Sequence, residues 1–244
     1  MFTYLGLLIL FYLKPSCALS TPENMRRILV TGANSGIGLA LTKQLIADHG
    51  CYVYLGSRNA ERGMKAVEEV KATAGESVEL LNIDVGNDQS VKAAASELSK
   101  RLGDDKLYAI VNNAGTGVSH NTKPNEIMNT NTRGPKRVVD NFLPLLQSTG
   151  RIVNVGSGGG PGHVNRIKTE DPNWKRFLFP MTNDEIEKEI KIIEANDDSS
   201  IAYRGSKALL ACYTMALAEE NPNLMVTIIT PGTCGLHHRV RIFE

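Results

Sequence analysis

The 244-residue sequence has no long run of charge of one sign. Lys and Arg together number 27, Asp and Glu number 26, and the formal net charge is +1. Such a balance, without a basic stripe, argues against a nucleic-acid track or a membrane-binding basic surface. We therefore expect a small-molecule ligand and no nucleic-acid partner.

The sequence also lacks closely spaced cysteines. The four cysteines are scattered along the chain: Cys17, Cys51, Cys212 and Cys234. Their spacing fits neither a disulfide framework nor a metal site. His237 and His238 are adjacent, but no other ligand shares their segment, so we interpret them as part of a tail. No metal is predicted.

Internal repeats and low-complexity tracts are missing as well. The composition, with 42% hydrophobic and 22% charged residues, is ordinary for a soluble protein. The length suits a single α/β domain. We expect this domain to cover residues 25–244.

An apolar segment at residues 2–13 precedes that domain. Lys14, Pro15 and the small residues around Ala18 follow it, an arrangement similar to a secretory signal within residues 1–20. The segment is short for a membrane span, and an anchor on the membrane surface or an inert leader remains open. The expected location is the secretory pathway or an organelle, with membrane association only through the leader, or the cytoplasm if the leader is inert.

Short apolar runs alternate with stretches of helical period from residue 27 onward. This alternation is typical of βαβ units and predicts a doubly wound, Rossmann-like parallel sheet. Strands are predicted at residues 28–31, 52–56, 78–83, 107–112, 152–155 and 225–230. Helices are predicted at residues 36–48, 60–72, 90–102, 135–147 and 203–219, and residues 156–162 are predicted to form a loop.

Residues 161–200 interrupt the alternation because they contain no strand run. Thr182 and Glu185 fit a capping box, and isoleucines in the helix that follows form one apolar stripe. We expect a helical insertion over the carboxyl edge of the sheet, before the helix that carries Tyr203. These apolar side chains are expected to pack on the core: Trp174, Phe177, Leu178, Phe179, Ile186, Ile190 and Ile193.

Three glycines follow the first strand, in the turn that begins the first helix. A pyrophosphate needs close backbone approach and unpaired N–H donors at a helix N-terminus, and a Cβ at these positions would obstruct it. A plain tight turn is the alternative. The residues predicted to contact a dinucleotide are Gly32, Asn34, Ser35, Gly36, Ile37 and Gly38.

The second strand ends at Ser57 and Arg58, with no carboxylate at that edge. An acidic residue there binds the ribose diol of NAD, whereas Arg favours the 2′-phosphate of NADP. Ser57 and Arg58 therefore predict NADPH as the cofactor. The alternative is that Arg58 is a solvated residue that caps the next helix.

Tyr203 and Lys207 lie four residues apart on a predicted helix, and hence about one turn apart on one face. A phenol has a pKa of about 10, and a nearby cation lowers it by favouring the phenolate. Ser157 follows the fifth strand and is placed to hydrogen-bond a substrate oxygen. The three residues suit carbonyl reduction with Tyr203 as proton donor, although a Tyr-x-x-x-Lys helix alone is often structural.

Together these motifs resemble the short-chain dehydrogenase/reductase family. The family pattern occurs here in order, as the glycine turn, Asn112-Asn113-Ala114-Gly115, Ser157, and Tyr203 with Lys207. The resemblance covers about residues 27–233.

The resemblance implies further roles. Asn113, Ala114 and Gly115 would support the sheet and line the adenosine side, and Asn131 would help hold a water that links Lys207 to solvent. Asp84 and Val85 would contact the adenine, and Pro231, Gly232 and Thr233 the nicotinamide side. A helix cap at Asn131 and a loop turn at Asp84 are the alternatives.

Ser157 and Tyr203 lie 46 positions apart, and most members of the family have a much shorter connection. The long connection resembles the carbonyl-reductase branch, which implies a monomer that reduces ketones and quinones with NADPH. The chain departs from this branch at Ser35, often basic there, at Leu236, where a threonine is usual, and in lacking a final strand. A truncated NADP(H)-binding protein without catalysis is therefore the alternative. A sugar-nucleotide epimerase is disfavoured because its substrate domain is longer.

Overall fold

The computed structural model describes residues 25–118 and 122–232. The predicted leader, Thr233 and the two adjacent histidines lie outside these residues. Within the described residues six strands are present: β1 Arg27–Val30, β2 Tyr52–Ser57, β3 Val78–Asn82, β4 Leu107–Asn112, β5 Leu146–Val155 and β6 Met225–Ile229. They form one sheet in the order β3-β2-β1-β4-β5-β6.

Helices connect successive strands, because parallel strands cannot be joined by a tight hairpin. The α-helices are α1 Gly36–Ala47, α2 Ala60–Thr73, α3 Asp88–Leu102, α4 Pro124–Met128, α5 Gly134–Phe142, α6 Gly159–Ile167, α7 Asn183–Glu194 and α8 Ser199–Glu220. A π turn spans Asn129–Arg133, and 3₁₀ turns span Leu143–Leu145 and Trp174–Leu178. Across the described ranges, none of the helices is both long enough and apolar enough to cross a membrane.

The strand β1 is central and pairs in parallel with both β2 and β4. Ile28 lies opposite Val53 on β2 and Ala109 on β4. The strand order reverses between β1 and β4, and open α/β sheets bind ligands at such a switch point, beyond the carboxyl ends of the strands. The glycine turn follows β1 and Asn113 follows β4, so both stand at this point. The predicted doubly wound parallel sheet is confirmed.

The described chain divides into two compact units. The first extends to Ala114 and includes Arg137–Val153, and it contains β1 to β4 with α1, α2 and α3. The second consists of Gly115–Lys136 and the chain from Asn154 onward, and it contains the π turn, α6, α7, α8 and β6. The glycine turn therefore belongs to the first unit and the Tyr203 helix to the second.

The boundaries predicted for the helix at residues 135–147 are both wrong. In the structure this helical segment begins at Pro124, continues through the π turn and ends at Phe142. The strand β5 begins soon afterwards, at Leu146. Proline suits the first turn of a helix, where its missing N–H costs nothing, so Pro124 was the overlooked start signal. Pro144 lies in the 3₁₀ turn after Phe142, where it lacks the N–H that a continuing helix needs.

Two other boundaries also differ from the prediction. The predicted loop at residues 156–162 becomes helical from Gly159 onward. The catalytic helix begins at Ser199 rather than Tyr203, because Asp198 accepts hydrogen bonds from the backbone N–H groups of Ser200 and Ile201. The capping box at Thr182 is confirmed.

Candidate active site

The glycine turn of the first unit has little room for side chains. Gly32 and Gly36 have φ angles of +62° and +55°, a region that other L-residues adopt at a cost. A Cβ on Gly32 would lie 2.8 Å from the Cα of Ala114, and one on Gly38 would lie 2.5 Å from Nδ2 of Asn113. The turn therefore requires Gly32 for its backbone conformation and Gly38 for its contact with the residues after β4.

Thr31 and Asn113 hold this turn in place. The Oγ1 of Thr31 accepts hydrogen bonds from the N–H groups of Asn113 and Ala114, at 3.1 and 3.0 Å. The Nδ2 of Asn113 donates to the carbonyl oxygens of Thr31 and Gly32, at 2.9 and 3.1 Å. The structure thus brings together two predicted cofactor segments, and it adds Thr31, which the sequence reasoning left without a role.

The N-terminus of α1 is left open toward an anion. Ser35 occupies the cap position with extended backbone and forms no side-chain cap, and the first turn carries no acidic residue. Ser35 and Gly36 are exposed, and a Cβ on Gly36 would meet no atom within 4 Å. Unpaired N–H groups at the positive end of a helix dipole bind phosphate. The first unit therefore fits the pyrophosphate of a dinucleotide.

At the end of β2, Ser57 and Arg58 lie in different environments. Ser57 is buried, and its hydroxyl donates to the carbonyl oxygen of Asn59 at 2.9 Å. Arg58 is exposed, and the described residues give it no hydrogen bond or ion pair. The helix α2 is capped by Asn59, whose Oδ1 accepts from the N–H of Arg62, so Arg58 does not serve as its cap. Arg58 therefore presents its charged group to solvent at this strand end, whereas Ser57 is buried.

Asp84 forms a local turn beyond β3. Its Oδ1 accepts from the N–H of Gly86 at 2.9 Å, and its own N–H donates to Ser90. Val85 is buried, and its carbonyl oxygen accepts from Arg137. The loop-turn alternative thus describes the Asp84 side chain, and any contact with an adenine stays a prediction.

Ser157 and Tyr203 both lie close to Gly159 in the second unit. A Cβ on Gly159 would lie 3.3 Å from Cε1 of Tyr203 and 3.5 Å from Oγ of Ser157. The Ser157 Oγ accepts from the N–H of Gly159 at 3.1 Å, which fixes the hydroxyl just beyond β5. The Tyr203 ring is half-buried, and no group among the described residues hydrogen-bonds its hydroxyl.

Lys207 lies one turn beyond Tyr203 on α8 and is buried. Its Nζ donates to the carbonyl oxygen of Val155 at 2.8 Å. Burial lowers the pKa of Lys207 to about 8. A lysine with this pKa is mostly charged at neutral pH and can also release a proton readily.

Asn131 is almost fully buried in the π turn. Its Oδ1 accepts from the N–H of Thr116 at 2.8 Å, and its Nδ2 donates to the Thr116 carbonyl oxygen at 2.9 Å and to Oγ of Ser206 at 3.1 Å. Ser206 in turn donates to the carbonyl oxygen of Tyr203 at 2.8 Å. Asn131 is therefore bonded to the helix that carries Tyr203, and it is not a helix-start cap.

Sequence reasoning missed Thr116, Thr132 and Ser206. Thr132 donates to the carbonyl oxygen of Ser206 at 3.2 Å, and all three residues support the Asn131 turn. Their types and spacing match no catalytic pattern. Only the position of Ser206 between Tyr203 and Lys207 was a signal.

The insertion packs on α8 through part of its predicted apolar set. Four of the seven side chains are buried: Phe177, Ile186, Ile190 and Ile193. The prediction is wrong for Leu178 and Phe179, which are 51% and 60% exposed, and Trp174 is half-buried against Lys168. Residues three apart share a face in a 3₁₀ turn, so Trp174 and Phe177 point together while the next two residues point away.

A polar clamp holds the insertion together. The Arg176 guanidinium bonds both carboxylate oxygens of Glu189 at 2.8 Å and also Asp171 at 2.6 Å.

Two titratable groups are buried beside this clamp. The His163 ring meets Phe177 edge-on, and burial lowers the pKa of His163 to about 4. The thiol of Cys212 on α8 donates to the Phe177 carbonyl oxygen, and burial raises its pKa to about 12. His163 is therefore neutral and Cys212 is protonated near pH 7.

The remaining predicted cofactor residues follow β6. Pro231 is half-buried, and Gly232 is exposed with a φ angle of +76°. Thr233 lies outside the described residues, so its predicted contact with the nicotinamide side stays a prediction.

Comparisons with known proteins identify the family of this chain. The family model described as short chain dehydrogenase matches residues 26–168. Short-chain dehydrogenase/reductase 1 of Saponaria officinalis is 33% identical over 253 residues, which cover 85% of this chain and 81% of that protein. The chain therefore belongs to the short-chain dehydrogenase/reductase family of oxidoreductases.

Two further relatives bear on its branch. Carbonyl reductase (NADPH) 1 of Mus musculus is 38% identical over 135 residues, which cover 53% of this chain and 48% of that protein. The solved structure of salutaridine reductase from Papaver somniferum superimposes with a TM-score of 0.75 at 25% identity, over 85% of this chain and 86% of that one. Carbonyl-reductase-like relatives are thus among its matches.

Proposed function

We propose that this protein reduces the carbonyl group of a ketone, aldehyde or quinone, with NADPH as the hydride donor. The observation that carries the proposal is that the Ser157 hydroxyl and the Tyr203 ring both lie beside Gly159, with Lys207 one turn further along α8. A hydrogen-bond donor, a proton donor and a cation are the groups that carbonyl reduction requires.

NADPH, held by the glycine turn and Arg58, would supply a hydride to the carbonyl carbon. The Ser157 hydroxyl donates a hydrogen bond to the carbonyl oxygen, and the Tyr203 hydroxyl transfers its proton to that oxygen, so the product is an alcohol. The phenolate left on Tyr203 is stabilised by the charge of Lys207 and regains a proton from solvent. The lowered pKa of Lys207, about 8, suits it to pass that proton on.

The cofactor choice is supported from the first unit. The uncapped N-terminus of α1 suits the pyrophosphate, and exposed Arg58 suits a 2′-phosphate. The mouse carbonyl reductase, whose name specifies NADPH, is consistent with this choice. NADPH rather than NADH therefore belongs to the proposal.

The test is NADPH consumption by the full chain across a panel of quinones, aldehydes and ketones. Tyr203→Phe should lower turnover by at least about 100-fold, because general acid catalysis contributes that much, while NADPH affinity stays near that of the unaltered protein. Tyr108→Phe, on β4, is the control and should keep its turnover, because this half-buried ring contacts Arg26 and Arg151 rather than the residues of the proposed site. Undiminished turnover in Tyr203→Phe would contradict the mechanism, and NADPH binding without consumption would indicate a binding protein.

A further inference from the structure

The π turn that carries Asn131 is held from two sides. On one side Asn131 and Thr132 donate hydrogen bonds to the side chain and the carbonyl oxygen of Ser206, respectively. Ser206 also bonds the carbonyl oxygen of Tyr203. This side therefore joins the turn to the first part of α8, where Tyr203 lies.

On the other side, Arg133 joins the end of the π turn to the insertion. Its Nε lies 2.9 and 3.1 Å from the two carboxylate oxygens of Glu187, and its Nη2 lies 2.7 Å from one of them. Its Nη1 lies 3.1 Å from Oε1 of Glu194. Both glutamates belong to α7, and their spacing of seven residues is about two helical turns. One guanidinium thus fixes one face of α7.

This cluster is more than an isolated surface pair. An exposed ion pair contributes little because solvent screens it and ordering two long side chains costs entropy. Here the Arg133 and Glu194 side chains are 26% and 23% exposed, and the Glu187 side chain is 44% exposed. The forked contact with Glu187 raises the pKa of Arg133. Because one ordered arginine serves two carboxylates, the second contact requires less additional ordering.

We propose that Arg133 is a positioning residue for the reaction, through which the insertion sets the placement of Asn131 and, by way of Ser206, of Tyr203. The inference deepens the proposed function and rests on it. Arg133 is two residues from Asn131 on the same turn, so a shift of the guanidinium moves the backbone from which the Asn131 amide reaches Ser206. π turns inside helices are often found at functional sites.

The test compares two arginine clamps of the insertion. Arg133→Met removes the clamp on the π turn, whereas Arg176→Met removes the clamp on Glu189 and Asp171, which lie within the insertion itself. A misplacement of about 1 Å can cost about 100-fold in rate, so we expect kcat of Arg133→Met to fall by roughly 5- to 50-fold. The KM for NADPH should stay within about twofold, because Arg133 is not among the residues that the proposed function assigns to the cofactor.

Arg176→Met should keep kcat within about twofold of the unaltered protein, since its clamp does not include the π turn. Arg133→Lys retains the charge but not the fork, and it should recover part of the lost kcat. The double variant Glu187→Gln with Glu194→Gln leaves Arg133 in place and should reproduce most of the loss. This double variant keeps the test available if Arg133→Met does not fold.

A mutant cycle separates positioning from general loosening. If Arg133 acts through Asn131, Arg133→Met should reduce kcat much less when Asn131→Ala is already present, because coupled residues are not additive. Additive effects, equal losses from Arg133→Met and Arg176→Met, or an unchanged kcat in Arg133→Met would each overturn the proposal. Failure of the proposed function itself would show separately, as undiminished turnover in Tyr203→Phe.

Discussion

Arg58 is an exposed guanidinium at the end of β2, where a dinucleotide cofactor presents its adenosine ribose. A charge-assisted contact with a 2′-phosphate contributes about 1.5–3 kcal/mol. We therefore expect Arg58→Ala to narrow the preference for NADPH over NADH by roughly tenfold or more, measured as the ratio of the two kcat/KM values. Arg62→Ala, exposed on α2, is the control. Equal use of both cofactors by the unaltered protein would rule the prediction out.

Lys207 carries its charge at a cost to stability. Burial lowers its pKa from 10.5 to about 8, so the unfolded chain binds the proton more tightly than the folded protein. The penalty is complete below about pH 8 and disappears as the pH rises toward 10.5. The shift corresponds to a change of about 3 kcal/mol in the free energy of unfolding.

Substitution of Lys207 should reveal this penalty. Lys207→Met loses the hydrogen bond to Val155 at every pH but carries no buried charge. The free energy of unfolding of Lys207→Met minus that of the unaltered protein should therefore be highest near pH 7. This difference should fall as the pH rises from 8 to 10.5, because the unaltered protein loses its penalty in that range. Urea unfolding at several pH values measures the difference. A difference that does not change with pH would show that burial does not penalise the charge.

At this scale the sequence identifies residues with a recognisable chemical pattern. Gly32, Tyr203 and Lys207 belong to motifs whose spacing follows from the chemistry. Ser206 and Thr116 act through hydrogen bonds between distant segments, and their types carry no periodic signal. Ser57 shows the opposite case, because its type suggested a phosphate ligand while its burial leaves only Arg58 exposed.

At the scale of helices, α6 approaches α8 closely at Gly160. A Cβ there would lie 3.1 Å from the carbonyl carbon and oxygen of Lys207, whereas a Cβ on Gly162 would meet nothing within 4 Å. Gly160→Ala should therefore destabilise the protein by about 1–3 kcal/mol. Gly162→Ala should stabilise it by about 0.5–1 kcal/mol, because glycine is a poor helix former.

Thermal or urea unfolding of the two variants measures this contrast between matched substitutions in one helix. Gly160→Ala also presses on the backbone of Lys207, so a loss of turnover should accompany its loss of stability. Stabilisation by both substitutions would mean that α6 and α8 do not approach each other as described.

The limits of element prediction are visible in the same region. The alternation of apolar runs predicted all six strands in the described residues, because buried parallel strands leave a strong apolar signal, but β5 begins at Leu146 rather than at the predicted Ile152. The glycine-rich start of α6 predicted a loop, since glycine disfavours helices. Packing against α8 outweighs that preference, and packing between distant segments is not visible in a local pattern.

At the scale of the molecule, the insertion occupies faces of α8 and the π turn. Ile193 packs directly on α8, because a Cβ on Gly205 would lie 2.6 Å from Cδ1 of Ile193. Arg133 of the π turn forms ion pairs with Glu187 and Glu194 of α7. Family members with a short connection pair their subunits through these helices, as the resemblance implies. We therefore expect a monomer, and light scattering of the purified protein should give the mass of one chain. A stable dimer paired through α8 would contradict this expectation.

The two cysteines in the described part of the chain, Cys51 and Cys212, are both buried, which bears on the substrates that the protein can handle. Quinones and reactive aldehydes are electrophiles that add to thiolates, so an enzyme that handles them risks alkylating itself. Burial raises the thiol pKa of both Cys51 and Cys212, and Cys212 also donates its hydrogen to the Phe177 carbonyl. Since the thiolate is the nucleophile and both thiols stay protonated near pH 7, these two cysteines resist covalent capture by the compounds that the protein is proposed to reduce.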